Sequence, residues 1–578
     1  MTAVRRPLSV IRSTLPPAPG GGAPPTFGAG GAVDGSRRKV LFLSLRPHPH
    51  RRHPRSRGVR DRGRQGALAA LAGLLAVVAA LAAAEALAAL AVRREAGPVT
   101  AVGGAAIDRT PAPVKDWAIR TFGDQDKLVL RLGILTVLAL LAAVAGVLAL
   151  RWRRLVAVGA LAMGGVGALA AAERPDAGGG DFLPALLAGA VAGAVLLVLV
   201  GWLERPGGSG VFTPGDGRRR FLATAGALVA GSLAAGLLAR WRNASDAAEV
   251  AAERAALRLP EPVSPAPPLP EGAALDVPGL APFQTPNGDF YRVDTALAVP
   301  RVDVSSWRLR LHGLGVTRPL ELSFEQLLAR DLVERRITLT CVSNEVGGPY
   351  VGNATWLGVP LAELLAEAGV RSPEQGGEAD QLVARSVDGM TLGTPLAAAL
   401  DGRDALLAVG MNGEPLPFDH GYPVRMVVPG LYGYVSACKW LEELELTTFE
   451  AFDPYWVRRD WAQEAPIKTQ SRIDTPRATE RPTAGEPIAV AGVAWAQHTG
   501  IDRVEVRVDD GPWEAAELAE EDSVDTWRQW HWRWTPTSGT HRVEVRATDR
   551  GGETQTADRV GTVPDGATGR HSVVVRVD

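Results

Sequence analysis

The chain of 578 residues sets 62 Lys plus Arg against 63 Asp plus Glu, a formal net charge of -1, which excludes nucleic-acid binding through bulk positive charge. Hydrophobic residues make up 46% and charged ones 22%, with a mean hydropathy of +0.04, so the averages are those of a soluble protein and hide two unlike halves. Its 2 Cys exclude a disulfide framework, a structural zinc site and a four-thiolate iron-sulfur cluster, and only 5 of its basic residues are Lys.

Residues 1-65 are rich in Pro, Gly and Arg without an apolar period, and are expected to form a disordered basic tail. Ser36-Arg37-Arg38 opens like an export signal, but no apolar core follows it, so it is not read as one. Apolar runs at 66-92, 128-150, 155-172, 183-203 and 221-240 each suit a hydrocarbon core of about 30 Å, so residues 66-240 are read as a membrane domain of five transmembrane helices. Gly189 and Gly193 are positions where two of these helices can approach closely. Arg131 lies near enough to a span end to snorkel.

Basic residues in 36-65, in Arg151-Trp152-Arg153-Arg154 and in Arg218-Arg219-Arg220 mark those segments as cytoplasmic. An odd number of spans then sends the C-terminal half outside the cytoplasm, in a multi-pass protein of the cell membrane with a cytoplasmic N-terminus. Arg218-Arg219-Arg220-Phe221-Leu222 and its apolar continuation are similar to a twin-arginine signal, whose route exports folded, cofactor-loaded domains. All nine His lie outside the five runs, which leaves no axial ligand for an intramembrane haem.

Residues 241-272 are a linker, helical and then Pro-rich. Short strand-like and helical runs alternate over 273-468, as in an α+β domain. Over 469-578 the period becomes 2, with Val504, Val506 and Val508 alternating with charge before a turn and Trp495, Trp527 and Trp530 available for a core. That pattern predicts an immunoglobulin-like β-sandwich.

Cys341 ends the β-type run Ile337-Thr-Leu-Thr and opens a loop containing Asn344, Gly347 and Gly348. A thiolate on such a loop is placed to bind a metal or cofactor. With this segment, Phe290-Tyr291-Arg292, Met411 to Arg425, Val428-Pro-Gly430 and Lys439-Trp-Leu441, the chain resembles the sulfite oxidase family of molybdopterin enzymes over roughly residues 280-578. The motifs stand in the family's order, and the terminal sandwich resembles the family's dimerisation domain, which admits a homodimer.

The resemblance implies that Cys341 ligates molybdenum and that Tyr291, Arg292, Val293, Asp388, His420, Arg425, Ala437, Cys438 and Lys439 line the molybdopterin. Arg425, His420 and Lys439 supply the cations and donors that an anionic pterin phosphate requires. Arg292 is expected to face the substrate and stabilise an oxyanion. The implied reaction is oxygen-atom transfer to or from a small molecule outside the cytoplasm, with electrons passed to or from an external protein or quinone and no haem or iron-sulfur cluster in this chain.

Departures from the family bear on the substrate. Glu345 and Val346 stand where sulfite oxidases carry two Arg, and Met390 stands where they carry Tyr. A sulfite-like anion and an S- or N-oxide both stay open. The alternative from another class is a non-catalytic receptor or adhesion protein that displays an Ig-like domain on a membrane stem.

Overall fold

The protein is described by a computed structural model covering residues 55-111, 125-204 and 216-578, with Val114, Trp117, Ala118, Thr121 and Phe122. The expected disordered tail to residue 54 and Ser36-Arg37-Arg38 lie outside the described residues. Of the compact unit Met1–Val59, residues 55-59 are helical, and Arg60–Asp578 forms a second compact unit.

The N-terminal half is helical: α1 (Arg55–Ala91), α2 (Pro98–Arg109), α3 (Asp126–Ala172), α4 (Leu183–Glu204) and α5 (Asp216–Ala256). Four of them, α1, α3, α4 and α5, are long and apolar enough to cross a membrane. Ala and Leu, the strongest helix formers, dominate these segments. Helix α1 begins at Arg55, upstream of the apolar run, in a stretch whose five Arg and Gln65 are good helix formers.

Small residues let these helices pack backbone to backbone. A Cβ on Gly189 of α4 would lie 2.9 Å from the Gly164 Cα of α3, and one on Gly193 would lie 3.2 Å from the Ala157 carbonyl oxygen. Gly73 of α1 meets Ala142 and Gly146 of α3 in the same way.

Helix α3 takes in the runs expected at 128-150 and 155-172, and Trp152 between them has non-helical angles, φ -132° and ψ 45°. Its first half packs on α1 and its second on α4. Near its start, Lys127 binds Asp294 at 2.6 Å and Arg131 donates to the Leu297 carbonyl. Just beyond its end, Pro175 and Asp176 press on Gly389, whose φ of +80° and missing Cβ permit the approach. Both ends of α3 therefore touch the C-terminal half. Helix α2, which starts with the Pro favoured at a first helical position, lies between, with Gly103 beside Ile134 and Leu297. Helix α5 continues past its apolar run to Ala256, and the Arg254 Nε donates to the Leu416 carbonyl at 2.7 Å.

The C-terminal half starts with strands β1 (Arg308–Gly313), β2 (Leu320–Ser323), β3 (Val333–Thr340), β4 (Val351–Pro360), β5 (Gln381–Ser386) and β6 (Thr391–Pro395). Strands β7 (Leu406–Met411), β8 (Glu414–Pro415), β9 (Arg425–Val427) and β10 (Leu441–Thr447) follow. One sheet has the order β2-β1-β10-β5-β6, with β1 parallel to β10, and the other runs β3-β4-β7-β8 with β9 also paired to β7. Strand β1 alternates exposed and buried residues, whereas nine consecutive residues of β4 are buried. A strand covered on both faces is apolar throughout, and the polar exceptions here are bonded. Asn353 of β4 pairs with the Thr338 hydroxyl at 3.0 Å and donates to the Phe283 carbonyl at 3.0 Å.

The chain ends in two facing four-stranded sheets. One holds β11 (Gln470–Thr475), β12 (Ile488–Trp495), β15 (Glu517–Leu518) and β16 (Arg528–Trp534); the other holds β13 (Ile501–Val508), β14 (Glu514–Ala515), β17 (Gly539–Asp549) and β18 (Ser572–Val577). Val504, Val506, Trp530 and Val545 fill the space between them, as the period-2 pattern predicts. This sandwich locks onto β3: the Gln497 amide donates to the Thr338 carbonyl at 3.1 Å, and the Trp527 backbone N–H donates to the Thr338 hydroxyl at 2.8 Å.

Candidate active site

Strand β3 delivers Cys341 into a loop that closes on itself. The Cys341 N–H donates to the Tyr350 carbonyl at 2.9 Å, and the Tyr350 N–H donates to the Asn344 side-chain oxygen at 2.8 Å, so Asn344 fixes the loop that presents the thiol. Cys341 Sγ lies 2.9 Å from Ser343 Oγ. Burial pushes the thiol's pKa up, while Ser343 and the charge of Lys439 pull it down.

A cavity of about 170 Å³ opens at this sulfur, lined by Tyr291, Val293, Cys341, Asp388, Arg425, Ala437, Cys438 and Lys439 among others. Eight residues expected from sequence to form one site therefore share one cavity. The other two, Arg292 and His420, line a second cavity of about 750 Å³, which shares Tyr291, Val293 and Asp294 with the first. Arg292, expected on the substrate side, lines this second cavity and not the cavity of Cys341. Asp294 binds its Nε at 2.7 Å and Asp419 its Nη1 at 2.9 Å, and these two carboxylates draw the guanidinium into the second cavity.

Asp294 is the residue that composition does not reveal. Its buried carboxylate receives Lys439 Nζ at 2.6 Å and Lys127 Nζ at 2.6 Å as well as Arg292. Burial raises its pKa, but Lys439, Lys127 and Arg292 together outweigh burial and hold it well below the usual carboxylate range. Burial lowers the Lys439 ammonium, with Asp294 opposing. Lys439 also lies over the Trp440 ring, 4.5 Å from its centroid. Gly421, at φ +113°, makes room for this approach: a Cβ there would stand 3.1 Å from the Lys439 Cα.

Arg425 is buried above the Trp356 ring, and burial lowers its pKa to about 10. Its Nη1 donates to the His420 carbonyl at 3.4 Å, and its Nε has no hydrogen-bond partner. An uncompensated buried cation is strongly destabilising, so this site requires an anion with oxygen acceptors. His420 Nε2 donates to the Asn287 carbonyl at 2.9 Å, and burial, then Arg425, lowers its pKa to about 4.

These groups fit molybdopterin: cations for a phosphate and a soft thiol for molybdenum line one cavity. Residues 296-456 match the family described as Oxidoreductase molybdopterin binding domain, and residues 470-545 match Bacterial Ig domain. Mitochondrial sulfite oxidase of Rattus norvegicus is 33% identical over 293 residues, an overlap of 43% of this chain and 52% of the rat protein. Residues 296-456 thus carry an oxidoreductase molybdopterin-binding domain, and the chain is similar to the sulfite oxidases across it. Further relatives in that family's reach are the sulfite oxidase of Gallus gallus, 34% identical over 292 residues, and the NADH nitrate reductase of Volvox carteri, 32% identical over 262 residues. The overlaps cover 62% of the chicken protein with 43% of this chain, and 30% of the algal one with 37%. The chain thus spans about half the length of the sulfite oxidases it matches. The crystal structure of the sulfane dehydrogenase SoxCD from Paracoccus pantotrophus aligns with 51% of this chain and 84% of its own at a TM-score of 0.44 and 24% identity.

The positions at which the chain departs from the sulfite oxidases it resembles lie around the same cavity. Met390 lines the cavity of Cys341, together with Trp456 and Trp461, which no sequence motif singled out. Glu345 and Val346 are on the loop but are not among the residues lining that cavity.

Proposed function

We propose that this protein is a membrane-anchored molybdopterin-dependent oxidoreductase that performs oxygen-atom transfer on a small substrate outside the cytoplasm. The observation that carries the reading is the single cavity joining the Cys341 thiol to the buried, acceptor-seeking Arg425 and to Lys439. A display module of the adhesion class has no use for a buried guanidinium whose Nε is left without a partner.

Bound there, the cofactor supplies the oxygen-atom and two-electron chemistry. Cys341 holds the metal. Arg425, Lys439 and the backbone at Ala437 and Cys438 hold the phosphate, and Asp388, His420, Arg292 and Val293 bind the remainder. Tyr291 is kept protonated by burial and by the neighbouring Cys341, so its hydroxyl is a donor available to a substrate oxygen. Met390, Trp456 and Trp461 exclude water and give the substrate an apolar wall, which favours a neutral S- or N-oxide over sulfite. Electrons pass to or from an external protein or quinone, and the terminal sandwich provides a surface for a homodimer.

The anchor is read as five spans in the cell membrane, with a cytoplasmic N-terminus and Arg218-Arg219-Arg220 serving export. The break at Trp152 and the contact of both ends of α3 with the C-terminal half support counting α3 as two spans. The domains follow as 66-240 for the anchor, 273-468 for the molybdopterin domain and 469-578 for the sandwich.

Metal analysis of the purified full chain is the test. Molybdenum near one atom per chain, lost in Cys341→Ser and kept in Cys438→Ser, is the expected result; molybdenum unaffected by Cys341→Ser would sink the assignment. A panel with artificial electron donors and acceptors then separates S- and N-oxides from sulfite, and dominant sulfite oxidation would overturn the role given to Met390.

A further inference from the structure

A third cavity, of about 420 Å³, lies between the helical half and the molybdopterin domain. One side is built by Arg93 beyond α1, by Thr100, Gly104 and Ile107 of α2, and by Arg174 to Asp176 beyond α3. The other side is residues 295-303 and 387-390. Three residues, Thr295, Asp388 and Met390, line both this cavity and the cavity of Cys341, so a single layer of side chains separates the two.

Its position relative to lipid follows from α2. Gly103, next to the lining residue Gly104, packs against Ile134, which lies inside an apolar stretch of α3. The cavity is therefore beside the first turns of the apolar stretch of α3, within reach of a lipid-soluble ligand if α3 spans the bilayer. Apolar lining from Ile107, Leu297 and Val302 is combined with a rim of charged groups that includes Arg93, Asp108, Arg174, Asp176, Arg301 and Asp388. That combination suits a flat apolar ring with polar oxygens on its edge. Asp388, buried and without an ion pair among the described residues, lines this cavity, and burial raises its pKa.

We propose that this cavity binds the ring of a lipid-soluble quinone, next to the cofactor site and on the anchor side of it. The inference rests on the oxidoreductase reading above and deepens it by locating the electron carrier. The anchor then does more than tether: it supplies half of the carrier's site.

Gly104 gives a clean test, because a Cβ there meets nothing within 4 Å and the added side chain enters the cavity. Leu is also a better helix former than Gly, so the substitution does not endanger α2. Full-length protein in nanodiscs of quinone-free phosphatidylcholine is photolabelled with an azido-benzoquinone, and the adducts are mapped by mass spectrometry. Decyl-benzoquinone is the competitor. The expected result is labelling of peptides from α2 and from 295-303 or 387-390, competed by decyl-benzoquinone and weakened at least about tenfold in Gly104→Leu, since even one surplus methylene in an apolar pocket costs roughly 10-200-fold. Molybdenum content and turnover with a water-soluble acceptor are expected to stay within about twofold, because the cofactor cavity is untouched. Labelling that avoids these peptides, or that Gly104→Leu leaves unchanged, overturns the proposal. So does labelling of the same peptides by an azido-phospholipid and not by the quinone, which identifies a lipid headgroup site. A chain that contains no molybdenum yet is labelled on α2 in this Gly104-dependent way upholds the quinone site while sinking the oxidoreductase reading.

Discussion

Asp294 is a single carboxylate on which two of the chain's 5 Lys converge, one from the helical half and one from the cofactor cavity. Removing one partner of a buried ion pair costs about 3-5 kcal/mol, because the other charge is left uncompensated. Asp294→Asn is expected to lower the thermal midpoint of the purified chain and its molybdenum content, while Asp276→Asn on the exposed surface changes stability by less than about 0.5 kcal/mol. Equal midpoints for the two variants would show that the three cations do not depend on Asp294. His420 carries a pH dependence whose sign is fixed by its lowered pKa of about 4. The unfolded imidazole, with an ordinary value near 6.5, binds a proton that the folded one refuses between these two pH values. His420 therefore costs the folded state nothing above about pH 6.5, and stability is lost as pH falls from there toward 4, by about 1.4 kcal/mol per pH unit. His420→Gln is expected to flatten the fall of the thermal midpoint between pH 6.5 and 4.5, with His571, also near 4, accounting for part of the residual slope. At this scale Cys341 and Lys439 were legible because Cys and Lys are scarce. Asp294 was not, being one of 63 acidic residues distinguished only by its burial. The pairing of Arg292 with Asp294 and Asp419 was not legible, because sequence does not show which carboxylates a guanidinium will meet.

The loop from Cys341 to Tyr350 depends on an element far along the chain. Gly347 has a φ of +79°, and a Cβ on it would overlap the His571 ring, whose Nδ1 accepts from the Ile473 N–H at 2.9 Å. The terminal sandwich thus pins the loop that carries the proposed metal ligand. Gly347→Ala combines left-handed strain of about 1-3 kcal/mol with this overlap. Gly376→Ala, at φ +81° with nothing within 4 Å of its Cβ, carries the strain alone. Gly347→Ala is expected to lower the thermal midpoint more than Gly376→Ala and to release molybdenum; equal effects would remove the sandwich from the site. Alternating Val and charge made β13 and β17 readable, and the Thr-rich approach to Cys341 marked β3. Helix α2 was not legible, because Pro98-Val-Thr-Ala-Val-Gly-Gly is helical only through its packing on α3.

For the whole molecule the deciding geometry is that of α3. A straight helix of 47 residues would extend about 70 Å, more than twice a hydrocarbon core of about 30 Å. Its ends could not then both reach the molybdopterin domain, yet Lys127 binds Asp294 and Asp176 abuts Gly389, which belong to adjoining cavity walls. Run lengths in the sequence implied the number of spans, but contacts between residues this distant in the chain leave no local pattern. The proposed topology takes Trp152 as a reversal, with Arg154 on the cytoplasmic side and Gly179 on the opposite side. Both native Cys are buried, so single engineered cysteines report cleanly on side. Gly179 is exposed, and a Cβ there meets nothing within 4 Å; Arg154 is exposed as well. In intact cells Gly179→Cys is expected to react with a membrane-impermeant maleimide, and Arg154→Cys to react only after the membrane is opened. Reaction of both from the same side would require α3 to leave the bilayer without reversing, and with it would go the placement of the cofactor and quinone cavities outside the cytoplasm.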